Sequence, residues 1–319
     1  MRFGFDFGAN PSNLHGTLVA YYVHDLSPFI FQLPNGIGPR WYGFAYVMAF
    51  VVAYWLYKKL AQRGYSDLRP DQVGDFITWG AVFGVFLGGR LGYFLFYQPE
   101  ELLRAPLTLF KVWEGGMASH GGIIGLFFYT LWYSWRHKVS WTNIGDNLVV
   151  VAPIGLFFGR IANFINGELY GRIAHVPWAV QFPKELEDPE IASRLLPQLG
   201  NGAPEMIISA AGTDPALREK LGEILNPRHP SQIYEALLEG VLLFAILWLI
   251  RTKTKAPNGF LTGVFFIAYA LFRIFAEQFR EPDASLFGPF TRGQFYSIFM
   301  VIVGATFLIW SLRKRTSMR

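Results

Sequence analysis

The chain contains no cysteine and little charge. Of its 319 residues only 16% are charged, against about 25% in soluble domains. Without cysteine there can be no disulfide, thiolate metal site or enzyme thiol nucleophile. The residues present are 52% hydrophobic and 18% aromatic, which indicates a polytopic membrane protein with aromatic residues at its interfaces. Residues 1–40 lack a basic start followed by a clean apolar core, so no separate secretion signal is predicted.

Seven apolar segments are long enough to span a bilayer, which takes about 20 residues. They predict an all-α polytopic bundle of seven transmembrane helices near residues 41–60, 75–97, 117–135, 144–164, 232–250, 259–279 and 293–312. The predicted order is an N-terminal arm (1–40), helices one to four (41–164), a soluble segment (165–231), helices five to seven (232–312) and a tail (313–319). No internal repeat is visible.

Lysine and arginine in the loops predict the orientation. Thirteen lie on the side of the C-terminus and six on the other side. Because cytoplasmic loops carry the excess of basic residues, we expect the N-terminus to face outward and the C-terminus to lie in the cytoplasm. The net charge of +5 belongs to this topology signal, and no nucleic-acid partner is expected.

The long segment 165–230 is the one soluble piece. Residues 175–182 predict a strand, which Pro177 places at the edge of a sheet. Asp214 and Pro215 precede the sequence ALREKLGEIL, which predicts a capped helix with proline at its first position. We therefore expect a small mixed α/β periplasmic head.

The segment 159–172, GRIANFINGELYGR, is the chain's densest polar stretch after an apolar run. An arginine at bilayer depth costs roughly 2.5 to 3.5 kcal/mol on insertion scales. Arg160 and Asn163 share a helix face, and Gly167 and Gly171 mark where the helix opens into irregular backbone. A polar site where the helix surfaces and a set of packing arginines with a tight turn fit this stretch equally well.

Other helices place polar groups at the same depth. With the predicted topology, the outer ends of six helices carry Tyr42, Arg90, His120, Arg160, Asn163, Tyr234, Glu235, Glu239, Tyr269, Arg273, Glu277 and Arg280. Packing residues would be scattered, and a transport pathway would more often centre on the midplane. The shared depth predicts binding or chemistry at the outer headgroup level.

Each group also has a structural alternative. Glycines flank His120, so it could bond a neighbouring backbone, and Arg90 is as readily structural as functional. Arg273 and Glu277 are four residues apart and could form a structural ion pair.

Two glutamates of the fifth predicted helix and a polar pair in the fourth have interpretations of their own. Glu235 and Glu239 share a helix face and carry like charge, so each is expected to pair with an arginine elsewhere. Asp146 and Asn147 lie at the inner end of their helix and are interpreted as its start signal.

Several arginines at one level suit an anion. Guanidinium groups match phosphate bidentately, and the abundant anion of the outer leaflet is a phospholipid headgroup. A phosphate can also be a leaving group, whose developing charge cations stabilise. His120 could act as a general base near neutral pH.

Five blocks of the sequence carry a resemblance to a known family. They are Arg40-Trp-Tyr-Gly43, Gly115-Gly-Met-Ala-Ser-His-Gly-Gly122, the stretch GRIANFINGELYGR, His229-Pro-Ser-Gln-Ile-Tyr-Glu235, and the block from Tyr269 to Asp283. In this order they resemble the bacterial prolipoprotein diacylglyceryl transferases. The resemblance covers roughly residues 41–312 and is weak over 1–40 and about 183–226.

The resemblance implies a reaction and a set of residues. It implies transfer of the diacylglyceryl group of phosphatidylglycerol to the lipobox cysteine thiol of a preprolipoprotein signal peptide, with release of glycerol phosphate. The implied catalytic residues are Tyr42, His120, Tyr269, Arg273 and Glu277. The substrate-binding set is Arg160, Asn163, Asn166, Glu168, Gly171 and Arg280. No metal or cofactor is expected, and the identity of the general base stays open.

Two other classes of protein stay open. An outer-leaflet phospholipid or anion transporter would need polar residues continuing to the inner side, where the helices are nearly all apolar. An intramembrane protease would need a nucleophile with a base, or paired aspartates, within the helices. The sequence favours the transferase over both.

Overall fold

The computed structural model of the protein describes residues 21–33, 36–111, 115–200, 202–282 and 289–317. The chain divides into two compact units. The smaller unit contains the described residues of 21–25 and 173–229, and the larger contains those of 26–172 and 230–317.

Seven long helices make up most of the larger unit. They are α1 (Trp41–Gln62), α2 (Gln72–Tyr97), α3 (Ser119–His137), α4 (Trp141–Ile165), α5 (Ser231–Lys253), α6 (Phe260–Ala276) and α7 (Arg292–Ser317). Two of them are wider in the middle, because α2 is π-helical over Gly80–Leu87 and α5 over Ala236–Leu242. Two short helical turns, Pro99–Arg104 and Pro106–Phe110, follow α2.

Five of these helices can cross a membrane. In the described part of the chain, α1, α2, α4, α5 and the first 23 residues of α7 are long and apolar enough. Helix α6 is apolar but has only 17 residues, and α3 is outside the set. The protein is therefore a membrane protein, while the seven-span count stays a prediction.

A buried aromatic and aliphatic cluster holds the helices together. It includes Tyr57 of α1, Phe76 of α2, Ile144 of α4, Leu247 of α5 and Leu261 of α6, each at most 1% exposed. Many other large apolar side chains, such as those along α3 and α7, are exposed, as expected for helices whose outer faces meet lipid.

Helices α2 and α3 are in direct backbone contact along a glycine seam, formed by Gly84, Gly88, Gly92, Gly121 and Gly125. A Cβ added to Gly92 would lie 2.4 Å from the Cα of Gly121, and one added to Gly125 would lie 2.3 Å from the carbonyl oxygen of Gly84. Small residues allow membrane helices to approach this closely.

Arg90 fixes the segment before α3. Its side chain is buried and, in the described residues, donates to the backbone carbonyls of Thr108, Leu109, Lys111, Gly115 and Gly116. Because buried cations need partners, these carbonyls take the place of a carboxylate. The contacts favour the structural interpretation of Arg90.

Asp146 links two helices, so its interpretation as the start signal of its own helix is wrong. The Oγ of Ser140 caps α4 by accepting from the backbone N–H of Asn143. Asp146 is the sixth residue of α4 and fully buried. It accepts from the N–H groups of Gly259 and Thr262, both at 2.8 Å, and from the Thr262 hydroxyl at 2.7 Å. Asp146 therefore caps the start of α6.

Asn147 and Arg251 continue this polar region. The Arg251 side chain donates to the Asn147 Oδ1 at 3.1 Å and to the Tyr65 carbonyl. Asn147 in turn donates to the Asn143 carbonyl at 2.8 Å. We call Asn143, Asp146, Asn147, Arg251 and Thr262 the Asp146 network.

The smaller unit contains a three-stranded sheet of the order β1-β2-β3. Strand β1 (Tyr22–Val23) pairs in parallel with β2 (Val180–Gln181), and β2 pairs in antiparallel with β3 (Pro227–Arg228). A strand within the predicted segment 175–182 is confirmed, but the predicted length and the predicted position at the edge of the sheet are wrong. Only two of its residues are in a strand, that strand is central, and Pro177 lies outside it because it cannot donate to a ladder.

Short helices cover the rest of the smaller unit. They are Pro189–Leu195, Pro204–Ala211 and Pro215–Ile224, with 3₁₀ turns at Pro183–Glu187 and Leu196–Gln198. The predicted capped helix is confirmed, because the Asp214 carboxylate accepts from the N–H groups of Ala216 and Leu217. At the end of this unit, burial lowers the pKa of His229.

Candidate functional site

Six charged side chains meet between α4, α5 and α6. They are Arg160, Glu235, Glu239, Arg273, Glu277 and Arg280, and we call them the Arg160 network. Every one of them is within 4 Å of an oppositely charged member. Three guanidinium groups and three carboxylates make the network neutral as a whole.

Glu235 is the common partner of the three arginines. Its Oε2 lies 2.9 Å from the Nε of Arg160. Its Oε1 accepts from Arg273 at 2.7 Å and from Arg280 at 3.2 Å. Since Glu235 is fully buried and touches groups from two other elements, it fixes where the guanidinium groups lie.

Glu239 is bound more loosely, one turn further along α5. Its Oε2 lies 3.4 Å from Arg160 and its Oε1 lies 3.7 Å from Arg273. It belongs to the π-helical stretch of α5, beside Gly240, where an added Cβ would lie 2.7 Å from the Cβ of Phe157. The missing side chain at Gly240 lets α5 approach α4 at the level of the network.

Arg273 and Glu277 form the ion pair that their spacing predicts, with 2.9 Å between Nη2 and Oε2. The first turn of α7 packs on this pair. A Cβ added to Gly293 would lie 2.7 Å from Glu277 Oε2 and 3.0 Å from Arg273 Nε. Any larger residue at position 293 would displace the pair.

The guanidinium groups and the carboxylates differ in exposure. The side chains of Arg160 and Arg273 keep 16% and 14% of their surface exposed, whereas those of Glu235 and Glu239 keep none. The carboxylates thus lie behind the arginines, and an incoming anion would meet the guanidinium groups first.

The predicted polar stretch after α4 folds back on its own helix. Asn163 donates to the Glu168 Oε1 at 2.7 Å and to the Tyr42 hydroxyl at 3.4 Å, and Asn166 also donates to Glu168. Gly167 has a φ of 66°, a left-handed conformation that glycine adopts without strain. The structure therefore brings these four predicted residues together.

Gly171 joins this stretch to the end of α6. It forms an isolated β-bridge with Arg280, and the Arg172 side chain donates to the Arg280 carbonyl at 3.0 Å. Because Arg280 also contacts Glu235, the loop after α4 and the Arg160 network are connected through one residue.

His120 lies on another helix, whereas Tyr269 lies on α6, beside the Arg160 network. His120 is exposed in the first turn of α3, and its ring packs edge-on against Tyr296 of α7, with 5.7 Å between centroids. Tyr269 lies one turn before Arg273 and stacks on Phe265 at 5.9 Å. In the described residues His120 forms no ion pair with the Arg160 network; the first turn of α7 lies between them.

Glu235 and Glu239 are absent from the predicted site residues. The available signal was their like charge at a spacing of four in an apolar helix, which predicts arginine partners. Those partners are confirmed as Arg160 and Arg273. In the described part of the chain, no group of three or more histidine, aspartate or glutamate side chains could hold a metal ion.

Comparison with known proteins gives one family. The sequence profile of the prolipoprotein diacylglyceryl transferases matches residues 28–310. Three relatives carry the name phosphatidylglycerol–prolipoprotein diacylglyceryl transferase. The protein from Photorhabdus laumondii is 40% identical over 293 residues, 91% of this chain and 94% of that protein. The protein from Proteus mirabilis is 41% identical over 298 residues, with 91% and 93% covered. The protein from Coxiella burnetii is 40% identical over 299 residues, with 92% and 98% covered.

Proposed function

Because the chain belongs to the prolipoprotein diacylglyceryl transferase family, we propose that the Arg160 network is the site where it handles its lipid. The protein is a transferase of lipoprotein biosynthesis that moves the diacylglyceryl group of phosphatidylglycerol to a prolipoprotein. The acceptor in our proposal is the lipobox cysteine thiol of the preprolipoprotein signal peptide. The products are a thioether and glycerol phosphate.

Arg160 and Arg273 bind the lipid phosphate in this proposal. Their side chains stay partly exposed while they contact carboxylates that are fully buried, and planar guanidinium groups bind phosphate bidentately. This exposure, in front of a fixed carboxylate layer, is the single observation that carries the assignment. When the C–O bond to phosphate breaks, the same cations stabilise the charge that develops.

The residues around the loop after α4 bind the glycerol end of the lipid. Asn163, Asn166 and Glu168 form one hydrogen-bonded set next to Tyr42. Their amide and carboxylate groups suit the hydroxyls of a glycerol headgroup. Gly171 holds the loop in place through its bridge to Arg280.

His120 assists removal of the thiol proton. A thiol has a reference pKa of about 8.5 and attacks carbon as the thiolate. The exposed imidazole of His120 is accessible to an incoming peptide, and nearby guanidinium groups favour the thiolate electrostatically. Tyr269 and the pair Arg273–Glu277 complete the proposed catalytic set. No step needs a metal or a cofactor.

The decisive experiment is a transfer assay. Purified protein is incubated with phosphatidylglycerol and a peptide containing a lipobox cysteine, and the peptide mass is measured. We expect the mass to rise by one diacylglyceryl group, and a peptide with serine in place of cysteine to stay unmodified. Phospholipid movement between leaflets without any change in peptide mass would instead favour an outer-leaflet lipid transporter.

We place the chain in the bacterial inner membrane, with a periplasmic N-terminus and head and a cytoplasmic C-terminus. The distribution of basic loop residues supports this orientation. With this orientation, the N-terminal arm (1–40) and the head (165–231) lie in the periplasm, and the tail (313–319) lies in the cytoplasm. A reporter fused after Arg319 should be active only in the cytoplasm; periplasmic activity would overturn the orientation.

A further inference from the structure

Substrate and product of the proposed reaction differ in charge. Phosphatidylglycerol is a phosphate diester with a single negative charge. The bond that breaks joins the diacylglyceryl carbon to a phosphate oxygen, and both bonding electrons stay on that oxygen. The cysteine sulfur, whose proton His120 takes in the proposed function, forms a new bond to the same carbon. Glycerol phosphate is therefore a monoester, which carries about −1.5 to −2 at pH 7. Arginines that bind the substrate would hold this product more strongly.

The Arg160 network contains a carboxylate that does little to position its arginines. Glu235 makes three contacts between 2.7 and 3.2 Å. Glu239 makes contacts of 3.4 and 3.7 Å, and its buried Oε1 accepts no hydrogen bond in the described residues. Glu239 thus places an acidic group behind Arg160 and Arg273 but contributes little to their geometry.

We propose that Glu239 is the residue that drives release of the phosphate product. Its charge keeps the network neutral, so that the monoester gains less from the arginines than it would from uncompensated guanidinium groups. Arg160 and Glu235 face Glu239 from α4 and α5, and Arg273 and Tyr269 face it from α6. This inference rests on the proposed function, since the product is defined by that reaction.

A negative charge at Glu239 would change the affinity for phosphate ligands by an amount that is large enough to measure. At an effective dielectric constant of about 20, two unit charges separated by roughly 6 to 8 Å interact strongly enough to change an affinity by well over tenfold. A dianionic product experiences about twice the effect of a monoanionic substrate. Glu239 therefore weakens binding of the product more than binding of the lipid.

The variant Glu239→Gln tests the proposal, because it removes the charge and keeps the size. We expect the inhibition constant of glycerol phosphate to fall by about tenfold or more, and the KM for phosphatidylglycerol to fall by less. Turnover should slow because product leaves slowly, and the first turnover should appear as a burst. A residue with a purely structural role would produce neither the burst nor the tighter inhibition.

Two matched variants complete the design. Asp71→Asn changes the net charge equally at an exposed position directly before α2, and we expect the inhibition constant of glycerol phosphate to match that of the wild type. Glu239→Asp shortens the side chain and so moves the carboxylate away from the guanidinium groups. It should lower the inhibition constant of glycerol phosphate, but by less than Glu239→Gln does. If Glu239→Gln does not fold, the aspartate variant carries the test.

Failure of the proposal is distinguishable from failure of the proposed function. Wild-type protein that never transfers lipid to the peptide would contradict the function alone. In that case the role of Glu239 can still be tested by binding. Glycerol phosphate should raise the unfolding temperature of the detergent-solubilised protein, and we expect a larger rise for Glu239→Gln than for the wild type. Unchanged inhibition and unchanged stabilisation in a folded Glu239→Gln protein would overturn the role of Glu239.

Discussion

The larger unit contains two buried charged networks that lie about 20 Å apart along α4, since its residues 146 and 160 are separated by 14 steps of about 1.5 Å. In the Asp146 network, the carboxylate accepts three hydrogen bonds from one neighbouring helix start. In the Arg160 network, carboxylates face guanidinium groups instead. One buried oxygen each of Glu235, Glu239 and Glu277 accepts no hydrogen bond in the described residues.

The difference separates structure from function. A buried polar group that is fully hydrogen-bonded rigidifies a helix junction. Ion pairs with incomplete hydrogen bonding are costly in an apolar environment, and ionisable residues kept inside a membrane at such a cost mark functional sites. We therefore expect changes in the Arg160 network to alter rate, and changes in the Asp146 network to alter stability.

The strongest test of this contrast is Arg160→Lys. Lysine keeps the positive charge but loses the planar fork, so transfer should fall by roughly 10²- to 10³-fold. The unfolding temperature in detergent should stay near that of the wild type. Near-normal turnover together with normal lipid affinity would contradict a bidentate phosphate contact.

His120→Asn tests a residue outside both networks. Asparagine roughly preserves size and one hydrogen bond while removing the base, so we expect a loss of about 10²-fold at neutral pH. The rate should recover as the pH rises toward the thiol pKa of about 8.5. A stable variant with an unchanged pH–rate profile would remove histidine as base and leave thiolate stabilisation to the arginines.

Asp146→Asn should have the opposite pattern. The amide cannot accept all three hydrogen bonds as a charged carboxylate does, so unfolding should become easier by about 2 kcal/mol. Turnover per folded molecule should match the wild type. Thermal unfolding in detergent and the transfer assay measure the two quantities, and a loss of turnover at full folding would break the contrast.

Thr262→Val is the mildest change. It removes the hydroxyl that donates to Asp146 at 2.7 Å and keeps the backbone donor, so the cost should be about 1 kcal/mol. Wild-type stability would mean that the hydroxyl contact contributes nothing. Any effect on KM would show that the two networks are coupled along α4.

The sequence predicted most of the site because charge inside apolar helices is costly wherever it occurs. Arg160, Asn163 and Glu168 were identified from one stretch, and the pair Arg273–Glu277 from its spacing. The residues behind them were not identified as functional. Glu235 and Glu239 contact arginines on other helices, and spacing along one helix does not specify those neighbours.

Tertiary contacts explain the incorrect predictions. Asp146 resembled a start signal because it lies early in α4, but its partners are more than 100 residues away at the start of α6. The strand at 175–182 was predicted from that segment alone, whereas the length of the strand is set by partners of two residues each, at residues 22–23 and 227–228. Neither partner is visible from the segment itself.

The glycine seam between α2 and α3 has an evolutionary consequence. His120 directly precedes Gly121, whose backbone rests on Gly88 and Gly92. Since no side chain lies between the two backbones, no compensating substitution can restore the contact once one of the five glycines is replaced. Sequence drift in this helix pair should therefore be confined to its outward faces, and the seam should be the slowest-changing surface of the molecule.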